Sequence, residues 1–301
     1  MIEQILIIPK IQIAEANAFS SPFTVGFPAM TAWLGAVHAL ERKFTDTKFS
    51  EFNVTGVGVV SHDFNLRSVK SGYTTSLIGE RHPLKKDGKS PSFVEEPKCH
   101  LTASIVIRFT GLDPDIYDLF LLSVETQLHK MRIAGGIILT FQKPLIMKLD
   151  AHSDSYEVDF KRVTSRLMPG YALIERRDLV LNAMNEGQDV LEAIIEGLAV
   201  THRCDFEPPA EDHADQKVEW SKATKKHSGW IVPIATGFHG LTEPAIALNQ
   251  RDSETLHRFA EALVTLGEFK MPHKLQSLND LIWSYHYDEE NNLYTCTQNN
   301  N

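Results

Sequence analysis

The apolar positions along the first half of the chain alternate between two periods. Residues 4–13 (QILIIPKIQI) are dense in isoleucine and predict a strand. Pro9 conflicts with a central strand because proline has no N–H for the ladder, so a bulge or break is expected there. Residues 14–28 are small and polar and predict a loop that ends in Gly26 and Pro28. From 29 to 44, Met30, Trp33, Val37, Leu40 and Phe44 recur every three or four residues, which is one apolar stripe of a helix. Residues 53–66 and 100–110 return to strand character. Asp113 and Pro114 suit an N-cap and the first helical position, and Ile116, Phe120, Val124 and Leu128 carry a second helix toward Arg132. Gly135 and Gly136 break the chain, and 137–148 predict a fourth strand.

That order, β-α-β-β-α-β, is the split βαβ signature of ferredoxin-like domains. It predicts an α+β protein with a ferredoxin-like or RRM-like core in residues 1–150. The connection at 67–98 is far longer than the usual turn between the second and third strands. It is polar and rich in turn pairs (Ser71-Gly72, His82-Pro83, Asp87-Gly88), and a connection of that length is usually functional or partly disordered. Residues 151–301 predict a mixed, largely helical half. Strands are expected at 168–176 and 229–238 and an amphipathic helix at 189–203. A helix capped at Asp252 or Ser253 is expected through Leu256, Phe259, Leu263 and Leu266. Another, capped by Ser277, is expected through Leu278, Leu281, Ile282 and Tyr285.

Composition narrows the class. Of 301 residues, 43% are hydrophobic and 23% charged, the balance of an ordinary folded chain rather than a disordered or fibrous one. No apolar run is long enough to span a bilayer, and the N-terminus reads as a first strand rather than a signal peptide. Cys99, Cys204 and Cys296 are odd in number and widely spaced, which predicts free thiols in a reducing cytoplasm. The net charge of −9 argues against nucleic acid until its distribution is considered. Residues 186–219 hold ten acids and two bases, so the rest of the chain is close to neutral. Two basic islands remain, 67–89 with six bases against two acids and 161–177 with five against one. They are compatible with phosphate contacts, although charge alone favours two solvated faces.

Catalytic signatures are sparse. His202, Cys204 and His213 lack a second pair at zinc spacing, so no metal site is expected. Gly56-Val57-Gly58 is not followed by a helix and a third glycine, so no dinucleotide or other cofactor is expected. His38 and His62 could each act as a lone general base, but nothing near them in sequence would orient or tune either. Two segments suit an anion better. Residues 17–28, NAFSSPFTVGFP, put hydroxyls and backbone amides before the first helix, with Asn17, Ser20, Ser21 and Thr24 as candidates. Residues 132–136, RIAGG, set Arg132 beside Gly135 and Gly136, where backbone amides can approach an anion. The third strand lacks the aromatic pattern that stacks bases on an open sheet, so any RNA contact is expected from loops and the insertion.

Further stretches extend these two over nearly the whole chain: VEE at 94–96 with His100 after it, RIAGGIIL at 132–139, RLMPGYAL at 166–173, FEPP at 206–209, GWIVPI at 229–234, RFAEAL at 258–263 and LIW at 281–283. In this order and spacing the chain resembles the family of the second subunit of the Csy complex, the type I-F CRISPR surveillance complex, within the RAMP superfamily. The insertion at 67–93 and the tail past Tyr294 match least well.

The resemblance implies a non-catalytic, cytoplasmic subunit that binds the 5′ handle of the CRISPR RNA. It implies a tight pair with the large Csy subunit, contact with the backbone subunit, and target DNA met through the assembled complex. On this reading the 17–28 and 132–136 loops hold handle phosphates. Arg67, Lys70, Lys85 and Lys86 belong to a thumb-like insertion over the first spacer nucleotides, and Arg162 and Arg166 add positive potential. The acidic second half faces the large subunit. Two other functions fit the residues: a metal-independent endoribonuclease using His38 or His62, and a scaffold that touches only proteins.

Overall fold

The computed structural model describes residues 2–79, 84, 86–90, 96–202, 204–206, 218–220, 224–248, 250, 252 and 254–298. Eleven strands make one sheet: β1 (Ile2–Asn17), β2 (Asn53–Leu66), β3 (Lys98–Thr110), β4 (Arg132–Ile133), β5 (Gly136–Thr140), β6 (Leu145–Asp150), β7 (Tyr171–Glu175), β8 (Ile231–Gly240), β9 (Ala260–Lys270), β10 (Ser284–Asp288) and β11 (Leu293–Thr297). Among the described residues five α-helices accompany it: α1 (Met30–Arg42), α2 (Tyr117–Leu128), α3 (Tyr156–Arg166), α4 (Arg177–Asn185) and α5 (Val190–Leu198). The spatial order is β10-β11-β8-β9-β7-β2-β3-β1-β5-β4, with β6 also on β1, and every pairing is antiparallel.

β1 is the axis of the sheet. One edge pairs with β3 from Gln4 to Asn17. The other edge pairs with β6 from Ile2 to Ile7 and with β5 from Gln12 to Ala14. The register slips between Ile8 and Ile11, and Lys10 takes a positive φ of 51°. This is the bulge that Pro9 demanded. It sits where the neighbour changes from β6 to β5, so the missing N–H breaks no ladder bond.

Both faces of the central strands are covered, which explains the unbroken isoleucine run. Leu6, Ile8, Ile11 and Ile13 pack in one layer with Trp33, Leu34, Val37 and Leu40 of α1 and Phe120, Val124 and Leu128 of α2. Ile5 and Ile7 pack on the other side with Phe160 and Val163 of α3 and with Leu275, Leu278, Leu281 and Ile282. Strand alternation sends neighbouring side chains to opposite layers. Each buried Ile or Leu contributes roughly 1.5–3 kcal/mol relative to exposure. Segment 281–283 crosses β2 closely: Val57 and Trp283 exchange N–H···O bonds of 2.8 and 2.9 Å. A Cβ at Gly58 would lie 2.5 Å from Cγ of Leu281, which is why glycine stands there.

The second half of the chain departs from expectation. It is mostly strands, not largely helical. The spacing of Leu256, Phe259, Leu263 and Leu266 mimics a helix, yet Ala260–Lys270 is β9, paired with β8 along most of its length and with β7. Phe259 is 74% exposed, so that stripe was never a core face. Ser277 does cap, in a reciprocal capping box with Asp280, but the turn is a single 3-10 turn, Leu278–Asp280. Pairing of Trp283 with β2 stops its propagation. The single strand expected at 137–148 is two, β5 and β6. Helices α3 and α4 were not anticipated. Asp113 caps the turn Pro114–Ile116 by accepting from Asp115 N–H, as its position indicated.

Phe120 is fully buried, with the rings of Phe44, Phe49 and Phe52 at 5.1, 5.3 and 4.8 Å. Phe120→Ala is expected to cost about 3–5 kcal/mol, read as a lower urea midpoint at unchanged m. A loss under about 1 kcal/mol, the scale of surface changes, would mean that this ring cluster is not packed as described.

Candidate functional site

Strand polarity decides which predicted residues meet. β1 ends at Asn17, β3 begins at Lys98, β2 ends at Leu66, and the turn into β5 lies at 134–135. Register puts Asn17 opposite Lys98, Leu66 opposite Cys99 and Ala14 opposite Ile137. All four ends therefore lie at one end of the central strands, and the two anion-suited loops become neighbours. The Asn17 N–H donates to the Ala134 carbonyl at 2.8 Å, and the Ala18 N–H to the Pro97 carbonyl at 2.9 Å.

The RIAGG segment is a hairpin turn rather than a helix cap. Ala134 and Gly135 take φ of 50° and 76°, the two positive values of a type I′ turn. Arg132 is exposed and its guanidinium donates to the Gly135 carbonyl at 3.2 Å. Gly136 is pressed onto β1: a Cβ would lie 2.8 Å from the Ala14 carbonyl oxygen and from the Ala16 nitrogen. Its place is a packing requirement.

Residues 19–25 form a hairpin, with strands Phe19–Ser21 and Thr24–Val25. Asn17 orders its entry, its Oδ1 accepting from Phe19 N–H at 3.0 Å. Ser20 and Ser21 hydroxyls lie 2.8 and 2.7 Å from Oγ1 of Thr24. Ser21 and Thr24 are buried, so these two hydroxyls brace the hairpin, while Phe23 at its tip is 84% exposed.

Arg67 stands at the root of the basic insertion. Its guanidinium meets Glu15 at 2.6 Å. Glu15 also takes His100 Nε2 at 3.3 Å, and its N–H donates to His100 Nδ1 at 3.4 Å. Glu15 has a φ of 58° and was not anticipated: a lone acid in a strand carries no signal of its partners. Beyond Arg67 the chain makes an exposed ribbon, Ser68–Ser71 against Thr74–Leu77, which carries Lys70. Lys86 is exposed in a turn, and Lys85 lies outside the described residues.

Arg162 and Arg166 are elsewhere. They are exposed on α3 and line an open groove with Lys161, Leu145 and Met147, and Arg162 pairs with Asp159 at 2.9 Å. The structure does not bring them to the strand-end group. Part of the acidic stretch, 207–217 with four of its ten acids, lies outside the described residues.

His62 is occupied by the fold. Its Nε2 lies 2.6 Å from the hydroxyl of buried Ser104, and its Nδ1 lies 2.6 Å from the Pro169 carbonyl and 2.7 Å from Lys10 Nζ. Burial holds the imidazole below its ordinary pKa; the Pro169 carbonyl opposes this, and Lys10 adds to it. His38 is exposed on α1, with Tyr285 at 6.2 Å between ring centres. Among the described residues no group of three or more His, Cys, Asp or Glu could hold a metal, and no helix is long and apolar enough to cross a membrane.

A family model described as CRISPR-associated protein (Cas_Csy2) matches residues 6–296. The chain is also similar to the CRISPR-associated protein Csy2 of Pseudomonas aeruginosa (strain UCBPP-PA14). The two are 34% identical over 312 aligned residues, which take in 97% of this chain and 94% of that protein.

The His62 cluster gives a pH prediction. Its pKa is depressed in the fold, so the unfolded chain binds the extra proton first, near pH 6.5. The stability it contributes is present above that pH and is lost as pH falls through the folded value. The lowered Lys10 value acts only at alkaline pH. Urea unfolding at pH 7.5 and 5.5 should therefore show a smaller drop for His62→Gln than for the parent. Parallel profiles would mean that the imidazole titrates alike in both states.

Proposed function

The chain belongs to the Csy2 family of CRISPR-associated proteins, the second subunits of type I-F Csy complexes, and on that premise we propose that it is a non-catalytic subunit that caps the 5′ handle of the CRISPR RNA. It pairs with the large Csy subunit in the cytoplasm and abuts the backbone subunit, and it meets target DNA through the assembled complex. The observation that carries this reading is the meeting of the 17–25 hairpin, the Arg132–Gly136 turn and the Arg67 root at one end of four strands. A single strand laid across that end would find an exposed guanidinium, strained-turn amides and a lysine-bearing ribbon within one surface.

The order β5-β1-β3-β2, antiparallel throughout with α1 and α2 on one face, supports a ferredoxin-like RAMP core. The ribbon at 68–77, with the lysines beyond it, supports the thumb. Both faces of the core are covered, so bases have no open sheet to stack on, and the loops must hold the RNA. The ties of His62 to Ser104 and Pro169 favour a structural histidine over a general base.

The test is co-expression with the other Csy subunits and a CRISPR array, recovery through a tag on this chain, nuclease treatment and sequencing of the retained RNA. A protected fragment containing the 5′ handle is expected. Arg132→Ala should weaken retention and flatten the dependence of log affinity on log salt by roughly 0.7 per lost phosphate contact. Recovery of partners without handle RNA would leave a protein-only scaffold. Metal-independent cleavage of a repeat hairpin, lost in His62→Ala, would instead make it a nuclease.

A further inference from the structure

We propose that the cavity behind the 19–25 hairpin receives one unstacked nucleobase of the strand that crosses that hairpin. This rests on the RNA-binding reading above and names what the site takes. The cavity is about 200 Å³. An apolar cavity of about 150 Å³ accepts a benzene ring, so this one has room for a single planar heterocycle. Five aromatic side chains, one from each of five separate segments, line it beside Val25, Val232 and Pro233. Phe27 meets Phe64 at 6.2 Å and Phe269 at 5.4 Å, Trp230 meets Phe269 at 5.2 Å, and Tyr171 meets Trp230 at 5.2 Å.

Three features point to a base rather than to a charged or purely apolar ligand. The lining holds no charged side chain, so a phosphate or carboxylate finds no partner there. Its polar atoms can match the mixed donor and acceptor edge of a base: the Ser61 and Tyr171 hydroxyls and the Trp230 indole N–H have no hydrogen-bond partner among the described residues. Trp230 is also placed unlike its buried counterparts. Trp33 and Trp283 are fully buried and donate their N–H groups to Pro28 and Leu173 carbonyls, whereas Trp230 is 52% exposed at the cavity mouth. An exposed indole among other rings, its N–H without a partner among the described residues, is a stacking platform of the kind single-stranded nucleic acids use. Ser20 and Thr24 of the hairpin line the same cavity, which makes it continuous with the strand-end surface.

The test uses the co-expressed complex and handle RNAs that each lack one base, scanned along the handle. Among these positions, one is expected to cost about tenfold in affinity, the scale of one stacked base. Trp230→Ala should cost a similar factor on intact RNA and nothing further on the RNA already abasic at that position, and Trp230→Phe should recover most of the loss. Ser61→Ala, a smaller change, should weaken the same position alone. An equal penalty for Trp230→Ala on every RNA, or none on any, overturns the proposal while leaving handle binding intact. Loss of a partner subunit with RNA affinity unchanged overturns it too, assigning the cavity to a protein side chain. A parent complex that retains no handle RNA overturns both readings together.

Discussion

The structure depends on one strand that must satisfy three partners. β1 pairs with β3 along one edge, and its other edge is shared between β6 and β5. A straight ladder would carry one register past the point where those neighbours change. The bulge at Pro9 and Lys10 resets it, and the residue without an N–H sits where no N–H is wanted. The reset has a further consequence. Lys10, turned by its positive φ, reaches His62 on β2 and the Pro169 carbonyl before β7, and its own N–H donates to Ser104 on β3. One local irregularity thus ties the strands of the first half to the first sheet strand of the second.

Covering both faces of β1, β2 and β3 fixes where recognition can occur. α1 and α2 take one face; α3 and the 275–282 segment take the other. What stays free of regular packing is the strand ends and the hairpins that leave them. Antiparallel pairing brings the end of β1, the start of β3 and the turn before β5 together without any long-range side-chain instruction. The backbone bonds of Asn17 and Ala18 then lock the loops to one another. Loop proximity follows from topology, and chemistry is added at Arg67, Lys70 and Arg132.

The first half was legible because its periods agree with its burial. Trp33, Val37 and Leu40, and Phe120, Val124 and Leu128, are the residues that pack, so the stripe and the core are the same set. In the second half local spacing and final pairing disagree. Leu263 and Leu266 fit a helical stripe, but β8 and β7 offer Ala260–Lys270 ladders on both sides, and long-range hydrogen bonding overrides a weak local preference. α3 was hidden for the opposite reason: only Phe160, Val163 and Thr164 are buried among charged neighbours, too thin a stripe to stand out. At the site, the loops and their glycines were readable as anion-suited segments. The pairing of Arg67 with Glu15 across 52 positions, and the gathering of aromatics from residues 27 to 269, were not, because no spacing in one chain encodes contacts that the sheet order creates.

The same sheet order explains why an aromatic cavity lies beside the hairpin. β7 pairs with β2 through Tyr171 and Ala172, which carries β9 and β8 in register beyond it and sets Trp230 and Phe269 next to Phe27 and Phe64. Filling that gap with an aliphatic side chain would bury more of Trp230 and contribute stability, whereas Trp33 and Trp283 are already fully buried. The gap persists, and among the described residues the two hydroxyls and the indole N–H on its lining have no protein partner, a local deficit of packing next to the loops that gather at the strand ends. Folds accept such local deficits where something other than their own packing completes the surroundings. The deficit here is neutral, planar-walled and open, and the cationic groups stand outside it on the hairpin turn and ribbon. That separation is the division a single-stranded polyanion requires: charge for the backbone along the surface, and rings set back from it for a base.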